Sequence, residues 1–394
     1  MKENIQLAII LLLSSIFLVL ETNSISISAN EAEIFFHGNG IVHYVSHIFT
    51  GLLGQNDLAL RLPFIILHIF SLFLIYKIGK LFLKRKVDRI FSTAIFALLP
   101  GVNSAALLVN SASLVIFLTL LFVYLYMYDY KIASYILLVL ALFVDNSFSI
   151  LYLSLIFYAI SQKNNKLLIF SFLLFGISMY MYGFDDGGKP KGYFLDSFGV
   201  YAAIFSPFLF LYYIYALYRI LIKEEKNLLW YISFVAFVFS LLLSLRQRVH
   251  LEDFAPFAIL AVPLMVKVFF NSYRVRLPEF RKWHKLITVF IIGFLVINSA
   301  IIFVNKPLYL IIENPKKHFA HRYHIAKELA IKLKNSGITE INIPNQRLAI
   351  RLKFYGIKDG GDKILIQNKN SAKKEDSINI IYYGKIVGKF YIIS

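Results

Sequence analysis

The sequence predicts an all-α polytopic membrane bundle followed by a small α/β domain outside the membrane. The chain of 394 residues is 58% hydrophobic and only 16% charged, whereas charged residues make up about a quarter of a soluble domain. Apolar runs of roughly 16–22 residues recur along it, which is the length that crosses about 30 Å of hydrocarbon. Only residues 305–394 break this pattern.

The formal net charge of +18 indicates membrane topology and contact with lipid headgroups. No nucleic-acid partner is predicted, because no basic motif with interleaved aromatic residues is present. The absence of cysteine excludes disulfides, thiolate catalysis and cysteine-ligated metals. Met1–Ala29 has features of a cleaved signal peptide, but a retained signal-anchor helix fits better because many apolar runs follow it.

About eleven transmembrane helices are predicted, and they make residues 1–304 the membrane domain. They lie near 5–21, 62–82, 90–108, 110–128, 132–144, 147–161, 167–183, 199–221, 229–245, 255–271 and 286–304. Basic connections alternate with connections that lack Lys and Arg, so the positive-inside rule places the N-terminus in the cytoplasm. The first loop (22–61), the 184–198 loop, the Arg246–Asp253 loop and the tail then face outward.

Residues 305–394 form the predicted extracytoplasmic α/β domain. His324–Lys334 has apolar residues at helical spacing and precedes Gly337, a helix stop. Strand-like runs follow at 340–343, 363–366 and 378–383, separated by turn residues. The basic charge of this domain does not conflict with its position, because long domains translocate largely regardless of charge.

The first loop carries a set of motifs typical of one family. Gly54 to Pro63 reads Gly-x-x-x-x-x-x-Arg-Leu-Pro at the start of the second span, His47 precedes it, and Asn30-Glu31 follows the first span. This arrangement resembles the bacterial GT-C glycosyltransferases, the superfamily of protein O-mannosyltransferases and the aminoarabinose transferase of lipid A. Looser likenesses are a Leu-Pro-Gly break at 99–101 and the basic segment Ser244–Arg248 before a late, proline-containing span.

The resemblance implies a GT-C fold and an inverting sugar transfer from a polyprenyl-phosphate carrier to an acceptor outside the bacterial inner membrane. It implies membrane lipid and the polyprenyl-phosphate sugar as partners. It gives no firm cofactor, and it leaves the divalent-metal requirement and the oligomeric state open. The sequence departs from the family at Asn30, where the family has the Asp of an Asp-Glu pair. It also has Asn39-Gly40 in place of Pro-Pro, and Asn110-Ser111-Ala112 in place of Thr-Pro-Asp.

Such a transfer needs a carboxylate that takes the proton of the acceptor. Glu31 falls at the second acidic position of the family and Glu33 is an extra carboxylate beside it, so either is a candidate catalytic base. The alternative is that both are solvated carboxylates that stabilise a helix N-terminus. Asn30, His37 and His43 are predicted contacts of the acceptor or within the loop.

Cations must hold the phosphate of the carrier. Arg246 and Arg248 follow the ninth span, and guanidinium groups match phosphate oxygens in two-point geometry. Ordinary anchoring to lipid headgroups is the alternative role for both. Arg61 is a third candidate for the carrier phosphate, with capping and packing under Leu62-Pro63 as its alternative.

No metal site is predicted. His43 and His47 are four residues apart and share a helix face, but no third ligand is placed, so interfacial or acceptor contacts fit better. Asp145 is predicted at the outer rim of the membrane, and Asp185–Gly188 reads as a surface turn.

Two other classes of function stay open. One is a catalytically inactive GT-C-like protein that binds lipid or assists assembly, motivated by Asn30, Ala112 and the missing Pro-Pro. The other is a transporter, for which the sequence lacks convincing paired repeats or charged mid-membrane helices.

Overall fold

A computed structural model describes residues 2–183, 192–367 and 377–393 of the chain. The predicted Asp185–Gly188 turn lies outside these ranges. Contacts divide the chain into two compact units. The bundle unit comprises Met1–Ser15, Ile66–Ala106 and Ser111–Ser299, and the loop–tail unit comprises Ile16–Ile65, Leu107–Asn110 and Ala300–Ser394. The domain division predicted at residue 304 stays a prediction.

Helices dominate the described residues, and four strands lie near the end of the chain. The helices are α1 (Lys2–Ser24), α2 (Ala29–His37), α3 (Ile41–Leu53), α4 (Asp57–Phe82), α5 (Lys86–Leu98), α6 (Pro100–Leu107), α7 (Ala112–Met127), α8 (Lys131–Ala141), α9 (Phe148–Ser161), α10 (Asn165–Tyr182), α11 (Phe194–Phe205), α12 (Pro207–Lys223), α13 (Leu228–Ser244), α14 (Ala255–Ala258), α15 (Val262–Val275), α16 (Pro278–Phe303), α17 (Ala326–Asn335) and α18 (Gln346–Phe354). The strands are β1 (Glu340–Asn342), β2 (Lys358–Ile366), β3 (Ser377–Tyr382) and β4 (Lys385–Ile393).

The apolar helices make this a multi-pass membrane protein. Among the described residues, five helices are long and apolar enough to cross a membrane, and up to seven spans result if each of two bent helix pairs counts as one. Several other predicted spans, such as that at α8, are apolar helices of 10–17 residues, shorter than the roughly 20 residues that a perpendicular span needs. The predicted number of about eleven stays a prediction.

Two predicted spans are not single straight helices. The predicted span 90–108 is divided between α5 and α6, which meet at an angle of 57°, because Pro100 disfavours helical geometry at the preceding Leu99. The predicted span 199–221 is divided between α11 and α12 at 103°. Its break lies at Ser206, which has a φ of 74° and precedes Pro207.

The core of the bundle unit is rich in aromatic side chains. Tyr201, Phe210 and Tyr213 are fully buried together with many aliphatic residues. The Tyr201 hydroxyl lies 2.8 Å from Ser240 Oγ, and the Tyr213 hydroxyl donates to the Ser233 carbonyl oxygen. Buried tyrosines normally need such partners, so this core combines apolar area with satisfied polar ends.

The loop–tail unit contains the α/β tail that the sequence predicts. The strand order is β1-β2-β4-β3, with β1 and β2 parallel and the other two pairs antiparallel. The helix predicted at 324–334 is α17, and the three predicted strand runs lie in β1, β2 and β3, which confirms them. The sequence analysis missed α18 and β4. Asn345 caps α18 by accepting a hydrogen bond from the Leu348 amide, a helix start signal that was present in the sequence.

Candidate functional site

The first loop folds into two helices, and a capping box fixes the start of α2. The side chain of Ser28 accepts a hydrogen bond from the Glu31 amide at 3.2 Å, and Glu31 Oε2 accepts one from the Ser28 amide at 2.7 Å. A Ser followed three residues later by a Glu is the pattern for this reciprocal cap. The cap turns the Glu31 side chain back toward the protein and sets the direction of α2.

Glu31 forms a buried ion pair with Arg61 at the start of α4. Its side chain is 3% exposed and that of Arg61 is 0% exposed. Arg61 Nη2 lies 3.0 Å from Oε2 and 3.1 Å from Oε1 of Glu31, and Arg61 Nε lies 3.2 Å from Oε1. The Val109 amide also donates to Oε1 at 3.0 Å. Both carboxylate oxygens of Glu31 are therefore occupied within the protein.

Asp57 is the second carboxylate beside Arg61, one helical turn earlier. Its Oδ1 lies 3.7 Å from Arg61 Nη1 and accepts a hydrogen bond from the Tyr355 hydroxyl at 2.6 Å. Its Oδ2 lies 2.9 Å from Lys327 Nζ. We call Glu31, Arg61 and Asp57 the buried ion cluster. Its two carboxylates contact two cations, Arg61 within the cluster and the partly exposed Lys327 outside it, and such pairing is the condition under which buried charge is tolerated.

Arg351 in α18 and Tyr355 just after this helix hold the chain segment between α1 and α2. Arg351 Nε donates to the Ile27 carbonyl oxygen at 2.8 Å, and its Nη2 contacts Ser26 Oγ and the carbonyl oxygen of Arg322. Burial lowers the pKa of Arg351 to about 10. The Tyr355 hydroxyl accepts from the Ile27 amide, and burial, followed by the charge of Asp57, raises the pKa of this phenol. Tyr355 is therefore a neutral donor to Asp57.

The buried ion cluster corrects part of the sequence interpretation. The alternative in which Glu31 and Glu33 are both solvated carboxylates is wrong for Glu31, which is buried and ion-paired. Nε, Nη1 and Nη2 of Arg61 each have an acceptor inside the protein, including the carbonyl oxygens of Ile25 and Ser26. This geometry favours the packing role of Arg61 over contact with the carrier phosphate.

Glu33 lies on the opposite, exposed side of α2. Its side chain is 64% exposed and its Oε1 lies 3.0 Å from Nδ1 of His37, itself 60% exposed. Asn30 is exposed too. Because positions i, i+3 and i+7 share one face of a helix, Asn30, Glu33 and His37 form one polar face, which we call the α2 polar face. Three of the predicted site residues thus lie together, and Glu31 does not lie among them.

His43 and His47 pack α3 against α2. His43 Nδ1 lies 3.0 Å from the Ile34 carbonyl oxygen, and His47 Nε2 lies 2.7 Å from that of Phe35. A carbonyl oxygen only accepts, so each ring nitrogen must donate. The two rings are 4.4 Å apart, as their spacing predicted. Among the described residues, no group of three or more His, Cys, Asp or Glu could hold a metal ion.

Arg246 and Arg248 lie in the bundle unit, just after α13. Both are exposed, and neither forms an ion pair with any residue of the described ranges. Burial, and then the nearby charge of Asp145, raises the pKa of Asp253 to about 6. Asp145 is half-buried and caps its own turn by accepting from the Ser147 amide. The segment after α13 therefore carries two exposed arginines, which have no ion pair within the described ranges, and a carboxyl group with weakened acidity.

The chain shares its fold with a solved membrane protein. Two structures of the aminoarabinose transferase ArnT from Cupriavidus metallidurans match the chain, one in the apo state and one bound to undecaprenyl phosphate. Their TM-scores are 0.56 and 0.57, each with 8% sequence identity over 98% of this chain and 97% of the ArnT chain. The comparison establishes an ArnT-like fold. No protein-family model and no curated protein sequence matches the chain.

Four side chains that organise this region were not predicted from the sequence: Asp57, Lys327, Arg351 and Tyr355. The four-residue spacing of Asp57 and Arg61 on one helix was a usable signal. The contact between Asp57 and Tyr355 joins residues 298 positions apart, and no local pattern announces it.

Proposed function

We propose that this chain is a glycosyltransferase that moves a sugar from a polyprenyl-phosphate carrier to an acceptor on the extracytoplasmic side of a bacterial inner membrane. The observation that carries the proposal is the fold shared with ArnT over 98% of the chain, since one of the matching ArnT structures is bound to undecaprenyl phosphate. The proposed orientation has the N-terminus in the cytoplasm and the α/β tail outside, as the distribution of Lys and Arg predicts.

Glu33 is the proposed base. Its carboxylate takes the proton of the acceptor hydroxyl while the acceptor oxygen attacks the anomeric carbon of the sugar. The bond from that carbon to the carrier phosphate breaks, and polyprenyl phosphate leaves with the electron pair, so the anomeric configuration inverts. Glu33 is exposed and has one hydrogen-bond partner, His37, which orients it. Glu31 has no free oxygen for this step and instead holds α2 in place through Arg61.

Arg246 and Arg248 are the proposed ligands of the carrier phosphate. They are exposed and without an ion-pair partner in the described part of the chain, so their hydrogen-bond donors are free to bind an anion. Two neighbouring guanidinium groups can stabilise the negative charge that develops on a leaving phosphate. Asn30 and His37 on the α2 polar face, with His43 on α3 nearby in sequence, are the proposed acceptor contacts.

Binding and turnover of a polyprenyl-phosphate hexose by the purified protein in nanodiscs test this proposal. Arg246→Ala/Arg248→Ala should weaken binding at least tenfold, because each charged hydrogen bond contributes roughly 1.5–3 kcal/mol. Glu33→Gln should retain binding and reduce kcat by roughly 10²–10⁴-fold. Lys163→Ala/Lys166→Ala, which removes two exposed cations from the α9–α10 connection, is the matched control. Unchanged binding in the arginine variant would contradict the phosphate assignment.

A catalytically inactive lipid-binding or assembly protein is the second candidate. The observation that favours it is Asn30, an exposed amide at the position where the family has the Asp of its acidic pair. In that case the wild-type protein binds the carrier lipid without turning it over under any acceptor condition. Asn30→Asp then separates the two functions, since turnover gained by this variant alone means that the missing carboxylate is the cause of inactivity.

A further inference from the structure

Helix α16 packs loosely against its neighbours in the bundle unit. Only 11% of the most apolar 18-residue stretch of α16 is buried, against 67% of the corresponding stretch of the span Ala255–Val275. A cavity of about 70 Å³ lies between α16 and helices α5, α12 and α15. Its lining residues are Phe91, Ile95, Leu209, Tyr212, Val262, Met265, Val266, Phe269, His284, Ile287, Thr288, Ile291 and Ile292.

The cavity suits hydrocarbon and not water. Nearly all of its lining is aliphatic or aromatic, and a buried water needs two to four polar partners. It extends along α16 from His284 to Ile292, a distance of roughly 12 Å at 1.5 Å per residue. A stretch of acyl chain fits this narrow apolar shape, and filling it would restore the contacts that the lining atoms lack.

Exposed cations lie next to the His284 end of the cavity, in the connection between α15 and α16 and in the first turns of α16. Arg274 is paired with Asp88 at 2.5 and 2.6 Å, and Arg281 donates to the carbonyl oxygens of residues 274 and 276. Three cations are then left exposed and without an ion pair among the described residues: Arg276, Lys282 and Lys285. Between residues 275 and 285 there is one carboxylate, Glu279, which is also exposed.

Two further groups mark this end as a lipid–water boundary. Trp283 is 70% exposed beside Lys282, and exposed tryptophan is typical of the headgroup level of a membrane. The His284 ring stacks on Phe269 of the cavity lining at 5.3 Å, and its buried Nε2 has no hydrogen-bond partner in the part of the chain that the structure describes. A polar atom without a partner at the cavity mouth fits a ligand that is polar at one end.

We propose that this site binds an anionic phospholipid, with one acyl chain in the α16 cavity and the headgroup phosphate on Arg276, Lys282 and Lys285. The cavity supplies apolar contact and the hairpin supplies charge, so the site selects lipids that have both a chain and a negative headgroup. The site consists entirely of bundle-unit residues outside the proposed catalytic machinery, and it does not depend on the proposed function.

The two tryptophans of the chain provide the assay. Trp230 is buried and donates to the Leu217 carbonyl oxygen, whereas Trp283 lies at the proposed site. The full-length Trp230→Phe variant, reconstituted in phosphatidylcholine vesicles, reports Trp283 fluorescence alone. Phosphatidylglycerol with brominated acyl chains should half-quench it at a mole fraction roughly tenfold lower than brominated phosphatidylcholine does. Equal quenching by the two lipids would overturn the proposal.

Two variants, each with a matched control, test the two halves of the site. Arg276→Gln/Lys282→Gln/Lys285→Gln should abolish the preference for phosphatidylglycerol, whereas Lys163→Gln/Lys166→Gln should retain it. Thr288→Phe fills the cavity and should weaken quenching, whereas Val289→Phe, on the exposed side of α16, should not. Equal effects of Thr288→Phe and Val289→Phe would overturn the acyl-chain assignment. Relief of quenching by millimolar glycerol 3-phosphate would also overturn the acyl-chain assignment, because it would show that the site binds a phosphate without an acyl chain.

Discussion

The change from glutamate to glutamine should strongly destabilise the protein at Glu31 and leave its stability nearly unchanged at Glu33, two positions further along α2. Glu31→Gln removes the charge that faces Arg61 in a site where both side chains are almost fully buried. Breaking a buried pair by removing one partner costs roughly 3–5 kcal/mol, because the remaining charge is left uncompensated. Glu33→Gln changes an exposed side chain with one hydrogen bond, so its effect on stability should stay within about 0.5 kcal/mol.

The destabilisation expected for Glu31→Gln arises because a glutamine side chain cannot accept all the hydrogen bonds that the carboxylate accepts. Glu31 accepts hydrogen bonds from Arg61, from the Ser28 amide and from the Val109 amide. A glutamine at this position keeps one acceptor oxygen and turns an NH₂ group toward donors. At least one backbone amide or guanidinium donor then loses its partner, and each unsatisfied buried group costs about 1–3 kcal/mol. The cost should therefore lie in the range for a broken buried pair.

Hydrogen exchange read by mass spectrometry on peptides that cover residues 25–37 measures this effect locally. A loss of 3–5 kcal/mol corresponds to exchange faster by about 10²-fold to 4 × 10³-fold, at roughly 1.4 kcal/mol per factor of ten. Glu33→Gln should leave the exchange of this segment unchanged while turnover falls. Unchanged exchange in Glu31→Gln, or fast exchange in Glu33→Gln, would refute the division of roles between the two carboxylates.

Three further predictions concern pH and packing. Burial, aided by His318 and Lys306, lowers the pKa of His324 from 6.5 to about 3. The free energy of unfolding should therefore fall below pH 6.5, by roughly 2 kcal/mol at pH 5. In thermal unfolding across this pH range, His324→Leu should lack this pH dependence. Burial raises the pKa of Asp253 from 3.8 to about 6, so the free energy of unfolding falls as the pH rises from 3.8 through 6. Asp253→Asn should therefore raise the free energy of unfolding by at most about 3 kcal/mol at pH 7.5 and leave it unchanged at pH 3.5. A Cβ on Gly101 would lie 2.5 Å from Ile204 Cγ2, so Gly101→Ala should cost about 1–3 kcal/mol, and Gly101→Ala/Ile204→Ala should recover part of that cost in the same unfolding assay.

The sequence predicted those features that are encoded locally. Apolar runs gave the helical membrane protein, and residue spacing gave α17 and the strand runs at β1, β2 and β3. The Gly54–Pro63 register led to the GT-C resemblance, and the match to ArnT established the fold. Hydrophobic length alone did not give the breaks at Leu99 and Ser206, because an apolar run stays equally apolar across a bend. Pro100 and Pro207 were the local signals of those breaks.

The organisation of the candidate site could be predicted only in part, because its partners come from distant parts of the chain. Arg61 approaches Glu31 across 30 positions, and Tyr355 approaches Asp57 across 298. Charge identity suggests that carboxylates and arginines will pair, but it does not choose among many candidates. The capping box from Ser28 to Glu31 was the exception, because its spacing alone predicts that Glu31 turns back toward the helix start.

Helix geometry gives a physical interpretation of the departure at Asn30. Successive residues on a helix are about 100° apart, so Glu31 projects well away from the direction of Asn30 and lies in the buried ion cluster. Glu33 is three residues on and only about 60° from Asn30, on the same exposed face. A carboxylate therefore lies on the same face of α2 as Asn30, the position to which the resemblance to GT-C transferases assigns an Asp. The proposed base Glu33 lies one helical turn after Asn30, and its hydrogen-bond partner His37 lies one turn further on. For this reason the α2 polar face, and not the Asn30-Glu31 pair, is where the chemistry of this chain should be sought.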